Sequence, residues 1–401
     1  MTIKEIGVDC VGCGSCENIC RHEAIIMEQD EEGFFYPFIN EQLCVDCSLC
    51  YNHCPQVINN ESLGNKKLEK KSYNAITKLR KLYRASASGG VFATIAYNFF
   101  ENHKDAIVCG AAYSENKVHH IIINKKEDIF YLQGSKYVQS QIEDIYKNIY
   151  LHLKSGKYAL FSGTPCQVAG LYAFLGNKYI ENLLTIDIIC HGVPSPKFFQ
   201  KDLTLYTTEL SKIEDVQFRK KQLIYKSSSQ FCLRVFFERK KTVLTRLRAN
   251  SITLPHDPYF NLFSKGWTLR RSCYKCQYAN LNRVGDITIG DCDSHTLYPD
   301  FHPNEATSTI IINTGKGNYI WNSYSKSFDY IELDLNREAK VNKQLKEYFK
   351  YPPERETIYE DINRLDIHEI KKLYANPESF RSFLGKLLYI ILPQKIIRKI
   401  L

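Results

Sequence analysis

Two cysteine-rich runs near the start of the chain constrain its fold more than any other feature. Each run has the spacing Cys-x2-Cys-x2-Cys-x3-Cys, and Pro55 follows the second run. Three thiolates at this spacing wrap one corner of a [4Fe–4S] cluster, while the fourth cysteine of each run reaches the other cluster. The pattern predicts two clusters with interleaved ligands: Cys10, Cys13, Cys16 and Cys54 for the first, and Cys44, Cys47, Cys50 and Cys20 for the second.

Zinc is the alternative metal for such cysteines. A tetrahedral zinc site usually takes two separated Cys-x2-Cys pairs, which does not match a doubled run of four cysteines. Residues 1–60 resemble a bacterial two-cluster ferredoxin, with one departure: Arg21 follows Cys20 where that family usually has proline. Between the runs, residues 24–39 predict a β-hairpin with a polar turn at residues 30–33.

Composition is that of an ordinary globular protein, with 44% hydrophobic and 24% charged residues. No secretory signal opens the sequence and no long uncharged apolar run follows, so we expect a cytoplasmic protein. In that compartment the 15 cysteines are expected to be metal ligands or reactive thiols rather than disulfides.

The formal net charge of +9 suits an acidic partner, such as a ferredoxin-like electron carrier or a redox partner subunit. A solvated lysine-rich surface explains the same charge equally well. Zinc-finger and RNA-binding-sheet signatures are missing from the sequence, so we do not expect nucleic-acid binding.

Cysteine density and charge divide the chain into four predicted parts. The ferredoxin-like module (1–60) is followed by a polar linker (61–75). Residues 76–320 alternate predicted helices and strands, so we predict an α/β (α+β) fold with a mixed sheet behind the small module. Residues 321–401 are predicted to form a helical extension. Its basic amphipathic tail, 383–401, could dock on the body of the protein, on a subunit partner or peripherally on the inner face of the membrane.

Four of the remaining cysteines lie where a predicted α/β sheet would place chemistry. Cys166 follows a strand at a turn in "SGTPCQ", and Cys190 ends a strand in "DIICHG". Cys273 and Cys276 form a single Cys-x2-Cys, which alone is a weak metal signal. Together the four thiols are enough for a third cluster. Two other cysteines lie in apolar predicted strands and are expected to be buried hydrophobic residues: Cys109 and Cys232.

Six motifs, "SASGGV", "QGSKYVQS", "LFSGTPCQVAGL", "DIICHGVPSP", "CYKCQYA" and "GDITIGD", follow one another between roughly residues 5 and 320. Together they resemble the beta-subunit family of coenzyme F-420 hydrogenases and dehydrogenases, which is similar to the plant 7-hydroxymethyl chlorophyll a reductases. The resemblance implies an FAD-containing iron–sulfur oxidoreductase with a small-molecule substrate. It also implies that a third [4Fe–4S] cluster lies beside the flavin, held by Cys166, Cys190, Cys273 and Cys276.

The "SASGGVFATI" motif predicts a helix start that could bind the flavin phosphates. Ser88 is predicted to cap the helix, and Gly89 and Gly90 to let backbone N–H groups approach a phosphate. Ordinary capping is the alternative explanation, since neither a Gly-x-Gly-x-x-Gly motif nor a Walker loop is present. Lys136 is predicted to supply the countercharge and Tyr137 an aromatic face. The predicted cofactor-binding set also contains four residues of the matched motifs: Gly134, Ser135, Thr164 and Asp291.

His191, next to Cys190, is predicted as a proton donor near the flavin, although a lone histidine is more often structural. The last motif departs from the family, because Cys292 and two polar residues follow Asp291 where many relatives have an aromatic residue and glycine. The sequence thus predicts an oxidoreductase that passes electrons from a reduced carrier through [4Fe–4S] clusters to FAD and on to a substrate. The alternative is a non-catalytic electron-transfer subunit of a larger redox complex. The substrate, the use of a deazaflavin coenzyme and the direction of electron flow stay open.

Overall fold

Strand-forming runs build the sheets of this protein, and helices pack against them to complete the core. Its structure is a computed structural model that describes residues 1–58, 63–64, 67–176, 178–221, 229–237, 250–253 and 256–376. The strands in these ranges are β1 (Ile25–Gln29), β2 (Phe35–Ile39), β3 (Lys67–Thr77), β4 (Ile107–Ser114), β5 (Lys117–Ile123), β6 (Ala159–Gly163), β7 (Leu183–Ile188), β8 (Ile213–Lys221), β9 (Ser229–Phe237), β10 (Asn250–Thr253), β11 (Ile287–Asp291), β12 (Ser308–Thr314) and β13 (Phe328–Glu332).

Helices connect many of these strands, and three of them begin with proline at a first-turn position where its missing N–H costs no hydrogen bond. The helices of the described ranges are α1 (Ser15–Ile19), α2 (Leu49–Asn52), α3 (Arg80–Ala85), α4 (Val91–Asn102), α5 (Ile129–Leu132), α6 (Ile145–Lys154), α7 (Pro165–Leu175), α8 (Pro196–Leu203), α9 (Pro258–Ser264), α10 (Ser294–Leu297), α11 (Gly315–Tyr324), α12 (Leu335–Val341), α13 (Arg355–Arg364) and α14 (Ile367–Tyr374).

An eight-stranded sheet of order β13-β3-β12-β11-β7-β6-β4-β5 forms the centre of the fold. β4, β6, β7 and β11 pair in parallel, whereas β5, β12, β3 and β13 add antiparallel pairs towards the two edges. The central strands are apolar on both sides, and helices cover both faces: α4 and α11 pack on one face, α6 and α7 on the other. The predicted α/β (α+β) fold with a mixed sheet is confirmed.

The first 58 residues form the small module. β1 and β2 pair antiparallel, with Ile25 opposite Ile39, so the predicted hairpin is confirmed. Its turn is stabilised by the Asp30 carboxylate, which accepts a 2.8 Å hydrogen bond from the Phe34 amide. The core of the module is small and consists of apolar residues and cysteines, among them Cys16 and Cys54.

The boundaries of the large domain that follows the small module differ from those predicted from composition. Composition predicts a linker up to residue 75, but residues 67–75 belong to β3, which pairs with β12 on one side and β13 on the other. A charged segment forms a strand here because its backbone hydrogen bonds find two partners. The predicted boundary at residue 320 falls inside α11, and β13 extends the sheet to residue 332.

The C-terminal helices complete a second core. Ile358 and Ile362 of α13, together with Ile370 of α14, pack in one cluster with Phe198 and Tyr259. The predicted basic tail, 383–401, lies outside the described residues. No helix within the described ranges is long and apolar enough to cross a membrane.

Two buried carboxyl groups meet between α8 and α9. Asp257 caps α9, since its Oδ1 accepts from the Phe260 amide at 2.8 Å and its Oδ2 accepts from Tyr206 at 3.2 Å. Asp202 is fully buried, and its carboxyl group is hydrogen-bonded to that of Asp257. Burial, and then the neighbouring Asp257 charge, raise the pKa of Asp202 well above its ordinary value. Asp202 is therefore the carboxyl that stays protonated.

Asp202→Asn is expected to stabilise the protein, increasingly so as the pH rises. A carboxyl whose pKa is raised by folding takes up a proton on folding above its unfolded pKa, so the wild type loses stability with rising pH until the folded pKa is passed. We expect a gain on the order of 1–2 kcal/mol at pH 8.5 and a smaller gain at pH 6. Anaerobic thermal denaturation at both pH values tests this, with the exposed Asp105→Asn as control. Equal effects of Asp202→Asn at the two pH values would contradict the assignment.

Candidate functional site

A cavity of about 610 Å³ opens at the carboxyl ends of the parallel strands. β4 contributes Gly110 to its lining, β6 contributes Ser162, β7 contributes Ile188, and β11 contributes Gly290 and Asp291. Open α/β sheets bind ligands at this edge, because the loops that follow the strands diverge there. The volume is typical of a site for a small molecule or cofactor.

Most of the non-cysteine residues predicted from sequence lie together around this cavity. Gly89 is the exception: a Cβ atom there would lie 2.4 Å from the Ala75 carbonyl oxygen, so Gly89 packs against β3. The predicted residues that line the cavity are Ser88, Gly90, Gly134, Ser135, Lys136, Tyr137, Thr164, His191 and Asp291.

The start of α4 differs in detail from the prediction. Its N-cap is Gly90, with φ +81°, and no described side chain caps the helix. Ser88 Oγ instead donates to the Thr307 carbonyl at 2.6 Å, and the Gly89 amide donates to Ser308 Oγ at 2.9 Å. The predicted Ser88 cap is wrong, because these two residues tie the loop to β12. The first turn of α4 still lines the cavity, and its N–H groups have no partner within the helix.

Lys136 faces the cavity from the loop after α5. Its ammonium group donates to the carbonyl oxygens of Gln133 at 2.8 Å and Tyr131 at 3.1 Å. Desolvation by the surrounding walls lowers the pKa of Lys136 to about 8. Tyr137 beside it packs at 5.4 Å, centroid to centroid, from Phe263. A cation and an aromatic ring are thus held side by side at the wall.

Two further basic residues of β8, which no sequence motif singles out, lie near the cavity. Arg219 pairs with Asp291, with Nη1 and Oδ2 2.5 Å apart. Lys221 donates to the carbonyl oxygens of Ser88 at 2.5 Å and Tyr83 at 2.6 Å, and burial lowers its pKa to about 6. The run "FRKK" resembles any solvated strand in sequence; only the packing of β8 brings it to the α4 loop.

Two histidines line the cavity. The walls around His191 desolvate its imidazole and lower its pKa below the ordinary value. His120, which lies in no motif of the sequence, is buried between Ser140 Oγ at 2.8 Å and the Ser162 carbonyl oxygen at 3.1 Å. Burial lowers the pKa of His120 to about 4, so it is neutral, with Nε2–H donating to the carbonyl. His120 therefore supports the wall, whereas His191 is the other histidine of the lining.

Four cysteines from distant parts of the chain come together beside the cavity; we name them the cavity thiol group: Cys166, Cys190, Cys273 and Cys276. Cys166 and Cys190 line the cavity itself. Burial, and then the charge of Cys273, raise the pKa of Cys190 well above the usual value. Burial and the charge of Cys276 raise the pKa of Cys273 to about 12. The mutual effects show that the thiols are neighbours.

Cys109 provides a contrast within the same domain. It lies in β4 in the buried core, and burial is the only cause raising the pKa of its thiol among the described residues. It behaves as the small hydrophobic residue that the sequence predicts. The side chain of Cys232 lies outside the described residues.

The inner thiol group of the small module comprises Cys10, Cys13, Cys16 and Cys54. Burial, and then the charges of Cys10, Cys13 and Cys54, raise the pKa of Cys16 well above its usual value. Ser15 Oγ donates to the His53 carbonyl at 3.0 Å and ties the two cysteine runs together. The run-to-run pairing expected from the spacing is therefore present, with Cys54 beside the first run.

The outer thiol group comprises Cys20, Cys44, Cys47 and Cys50. Burial raises the pKa of Cys50, and the charges of Cys20 and Cys44 add to the effect. Cys47 is exposed to solvent. The outer group thus lies at the surface, whereas the inner group is buried.

Helix α7 joins the inner thiol group to the cavity. Cys166 lies in its first turn, and one turn later a Cβ atom at Gly170 would lie 3.0 Å from Cys13 Sγ. The Tyr146 hydroxyl contacts the carbonyl oxygens of Cys13 at 2.9 Å and Gln167 at 2.7 Å. Only glycine at position 170 permits this approach, which puts the inner group directly next to the cavity group.

Single metal ions and iron–sulfur clusters make different demands on their ligands. A zinc ion requires its ligands to converge on one point, and no three His, Cys, Asp or Glu side chains of the described residues are arranged in that way. A cubane instead binds each thiolate through a different iron atom. Burial disfavours free thiolates, so grouped buried thiols need a cation to hold them deprotonated.

Two known protein families match parts of this chain. Residues 9–58 match the family described as 4Fe-4S dicluster domain. Residues 156–336 match the family described as the C terminus of the coenzyme F420 hydrogenase/dehydrogenase beta subunit. An uncharacterized ferredoxin of Methanocaldococcus jannaschii is 37% identical over 54 residues, which cover 13% of this chain and 69% of that protein.

Among solved structures, a chain of the F420-reducing [NiFe] hydrogenase complex from Methanosarcina barkeri aligns with a TM-score of 0.48 and 17% identity, covering 76% of this chain and 94% of that one. The two matched ranges contain both cysteine runs and the four cysteines of the cavity thiol group. The chain thus carries the C-terminal domain of the coenzyme F420 hydrogenase/dehydrogenase beta-subunit family behind an N-terminal 4Fe-4S dicluster domain.

Proposed function

We propose that this chain is an FAD-dependent iron–sulfur oxidoreductase that takes electrons from a redox partner and delivers them to a small molecule in the cavity. The observation that carries the proposal is the serial arrangement of thiol groups. The outer group lies at the surface, the inner group is buried against α7, and the cavity group borders the cavity.

Bound clusters and flavin would together convert one-electron delivery into two-electron reduction of a substrate. The protein would contribute binding, spacing and electrostatics. The cavity thiol group would hold a third [4Fe–4S] cluster. The uncapped first turn of α4 would bind the phosphates of FAD, because its N–H groups and helix dipole favour an anion. Lys136 and Tyr137 would then contact the flavin from the loop after α5.

His191 is the residue proposed to hold a proton for the substrate. It lines the cavity, follows Cys190 and packs near Phe349, with ring centroids 5.2 Å apart. Its lowered pKa means that it is mainly neutral at pH 7 and can both accept and donate a proton. Asp291 also faces the cavity but is paired with Arg219. Cys292, by contrast, points to Glu338, with Sγ 3.7 Å from Oε2.

A non-catalytic electron-transfer subunit is the competing function. The two functions are distinguished by anaerobic purification, flavin identification after denaturation, and stopped-flow reduction. The enzyme should contain FAD whose absorbance bleaches on reduction and returns when a substrate is added. Full cluster content without FAD would instead indicate an electron-transfer subunit.

The small module, which holds the outer thiol group, has a net charge opposite in sign to that of the whole chain. Residues 1–58 contain ten acidic and only two basic residues, a net charge of −8, which leaves +17 on residues 59–401. The acidic carrier predicted from the net charge would therefore be attracted to the larger domain rather than to Cys47. We propose that the redox partner presents a basic surface to the loop around Cys47.

Glu41→Lys should weaken the preference of the clusters for a cationic donor. At low ionic strength, reduced methyl viologen, a cation, should reduce the clusters faster than an anionic sulfonated viologen of similar potential. We expect Glu41→Lys to reduce this rate ratio by roughly two- to threefold, an effect that added salt should screen. Glu127→Lys, an exposed charge reversal outside the module, is the matched control. Faster reduction of the wild type by the anionic donor would favour an acidic carrier instead.

A further inference from the structure

Arg270 is a fully buried cation whose terminal nitrogens face no acceptor. Its side chain is 0% exposed, and neither Nη1 nor Nη2 has a hydrogen-bond partner among the described residues. Its Nε donates to the Cys10 carbonyl oxygen at 2.7 Å. The guanidinium carbon lies 3.9 Å from the ring centroid of Tyr36. The head group is therefore held in one orientation against the inner thiol group.

A buried guanidinium that is not hydrogen-bonded to an anion is costly, since one hydrogen bond and the Tyr36 ring replace only part of its hydration. The anions within electrostatic reach of Arg270 are the Asp30 carboxylate and cysteine thiolates. Its charge lowers the thiol pKa of both Cys166 and Cys273, against the larger effect of burial. Arg270 thus lies within electrostatic reach of two thiol groups at once, the inner group through Cys10 and the cavity group through these two residues.

Thiolate-ligated four-iron clusters are anionic and become more so on reduction. A nearby cation favours the reduced state, because net charge and hydrogen bonding at the sulfurs set cluster potentials. We infer that Arg270 is a positioning residue that supplies the shared counter-charge between the inner and cavity thiol groups and raises the reduction potential of the inner cluster. The part concerning the inner cluster rests on the 4Fe-4S dicluster domain alone; the part concerning the cavity group rests on the proposed function.

The neighbouring Arg271 offers a matched control. It carries the same charge one residue away, but its Nη2 is already paired with Glu32 at 3.0 Å and Glu356 at 2.8 Å. Arg271→Gln therefore removes a compensated cation from the surface, whereas Arg270→Gln removes an uncompensated one from between the thiol groups.

The test is an EPR-monitored redox titration of anaerobically purified wild type, Arg270→Gln, Arg270→Lys and Arg271→Gln. For Arg270→Gln we expect an unchanged iron content of the small module. We also expect a tenfold or greater fall in the equilibrium constant for reducing one N-terminal cluster, which equals about 59 mV for one electron. Arg270→Lys should recover most of this shift, because lysine restores the charge without the guanidinium fork. Arg271→Gln should match the wild type.

An iron-loaded Arg270→Gln protein with wild-type potentials would overturn the inference. If that variant does not fold, the wild type labelled with guanidino-¹⁵N arginine decides. Pulsed EPR of the reduced wild type should then show modulation from a ¹⁵N nucleus near the cluster, and this modulation should be missing in labelled Arg270→Lys. If the modulation is still present in Arg270→Lys, the inference is overturned as well. Failure of the proposed third cluster is seen separately, as about eight rather than about twelve iron atoms in the wild type, and leaves the test on the inner cluster valid.

Discussion

Cys190→Ser is expected to remove about four iron atoms per chain and to leave the two N-terminal clusters spectrally intact. Cys190 borders the cavity beside three other thiols, and burial together with Cys273 raises its pKa. A buried serine hydroxyl stays protonated far more readily than a thiol, so it is a poor ligand for iron. We expect the same loss for Cys166→Ser, Cys273→Ser and Cys276→Ser, because one cluster would require all four ligands.

The matched control is Cys109→Ala. Cys109 lies in β4, fully buried in an apolar cluster that also contains Phe161. Its replacement removes a buried sulfur and costs some stability, but iron content should stay at the wild-type value. Iron analysis with EPR after dithionite reduction measures both outcomes. Equal iron content in the Cys109 and Cys190 variants would refute the proposed ligand set, while the dicluster domain would be unaffected.

Gly134→Asp is expected to lower FAD affinity at least about tenfold, or ~1.4 kcal/mol. Gly134 lines the cavity with φ +80°, and a Cβ atom there would meet no described atom within 4 Å. A side chain at this position would therefore extend into the space proposed for the cofactor. A carboxylate would add repulsion towards the phosphates, while an aspartate tolerates the left-handed backbone better than most residues do.

Gly156→Asp is the control, since Gly156 matches Gly134 in φ and in the free space around a Cβ atom. Gly156 also has φ +80° with no described atom within 4 Å of a Cβ, but it lies in the turn after α6 and outside the cavity lining. Backbone strain is thus equal in the two variants, and only Gly134→Asp should lose flavin. Fluorescence of released FAD, normalised to iron, gives the occupancy. The same flavin loss in both variants would mean that strain, not the cavity, is responsible.

Gly90 is a poorer position for this test, although it lies in the predicted phosphate loop. A Cβ atom at Gly90 would lie 2.6 Å from Thr77 Cγ2, and the residue has φ +81°. Any larger residue would disturb the packing of the loop on β3 before it reached a ligand. The loop glycines are therefore needed for packing, which the sequence pattern did not reveal.

Local sequence determined the features that depend on neighbours along the chain. The cysteine spacing predicted the dicluster domain, and the alternation of apolar residues predicted the hairpin of β1 and β2. The segment "SGTPCQ" predicted the end of β6 and the start of α7, because Thr164 and Gln167 form a capping box around Pro165 at the first helical position. Such signals are short-range and need no knowledge of the rest of the fold.

The tertiary structure alone decided the contacts between distant segments. It placed the charged β3 inside the sheet, bound Ser88 to Thr307, and brought Lys221 to the α4 loop. It also buried Arg270 against Cys10, 260 positions away in the chain. An arginine or a serine has the same local sequence signal whether it is solvated or buried. Its partner is decided by which segments the sheet brings together, and that is a property of the whole fold.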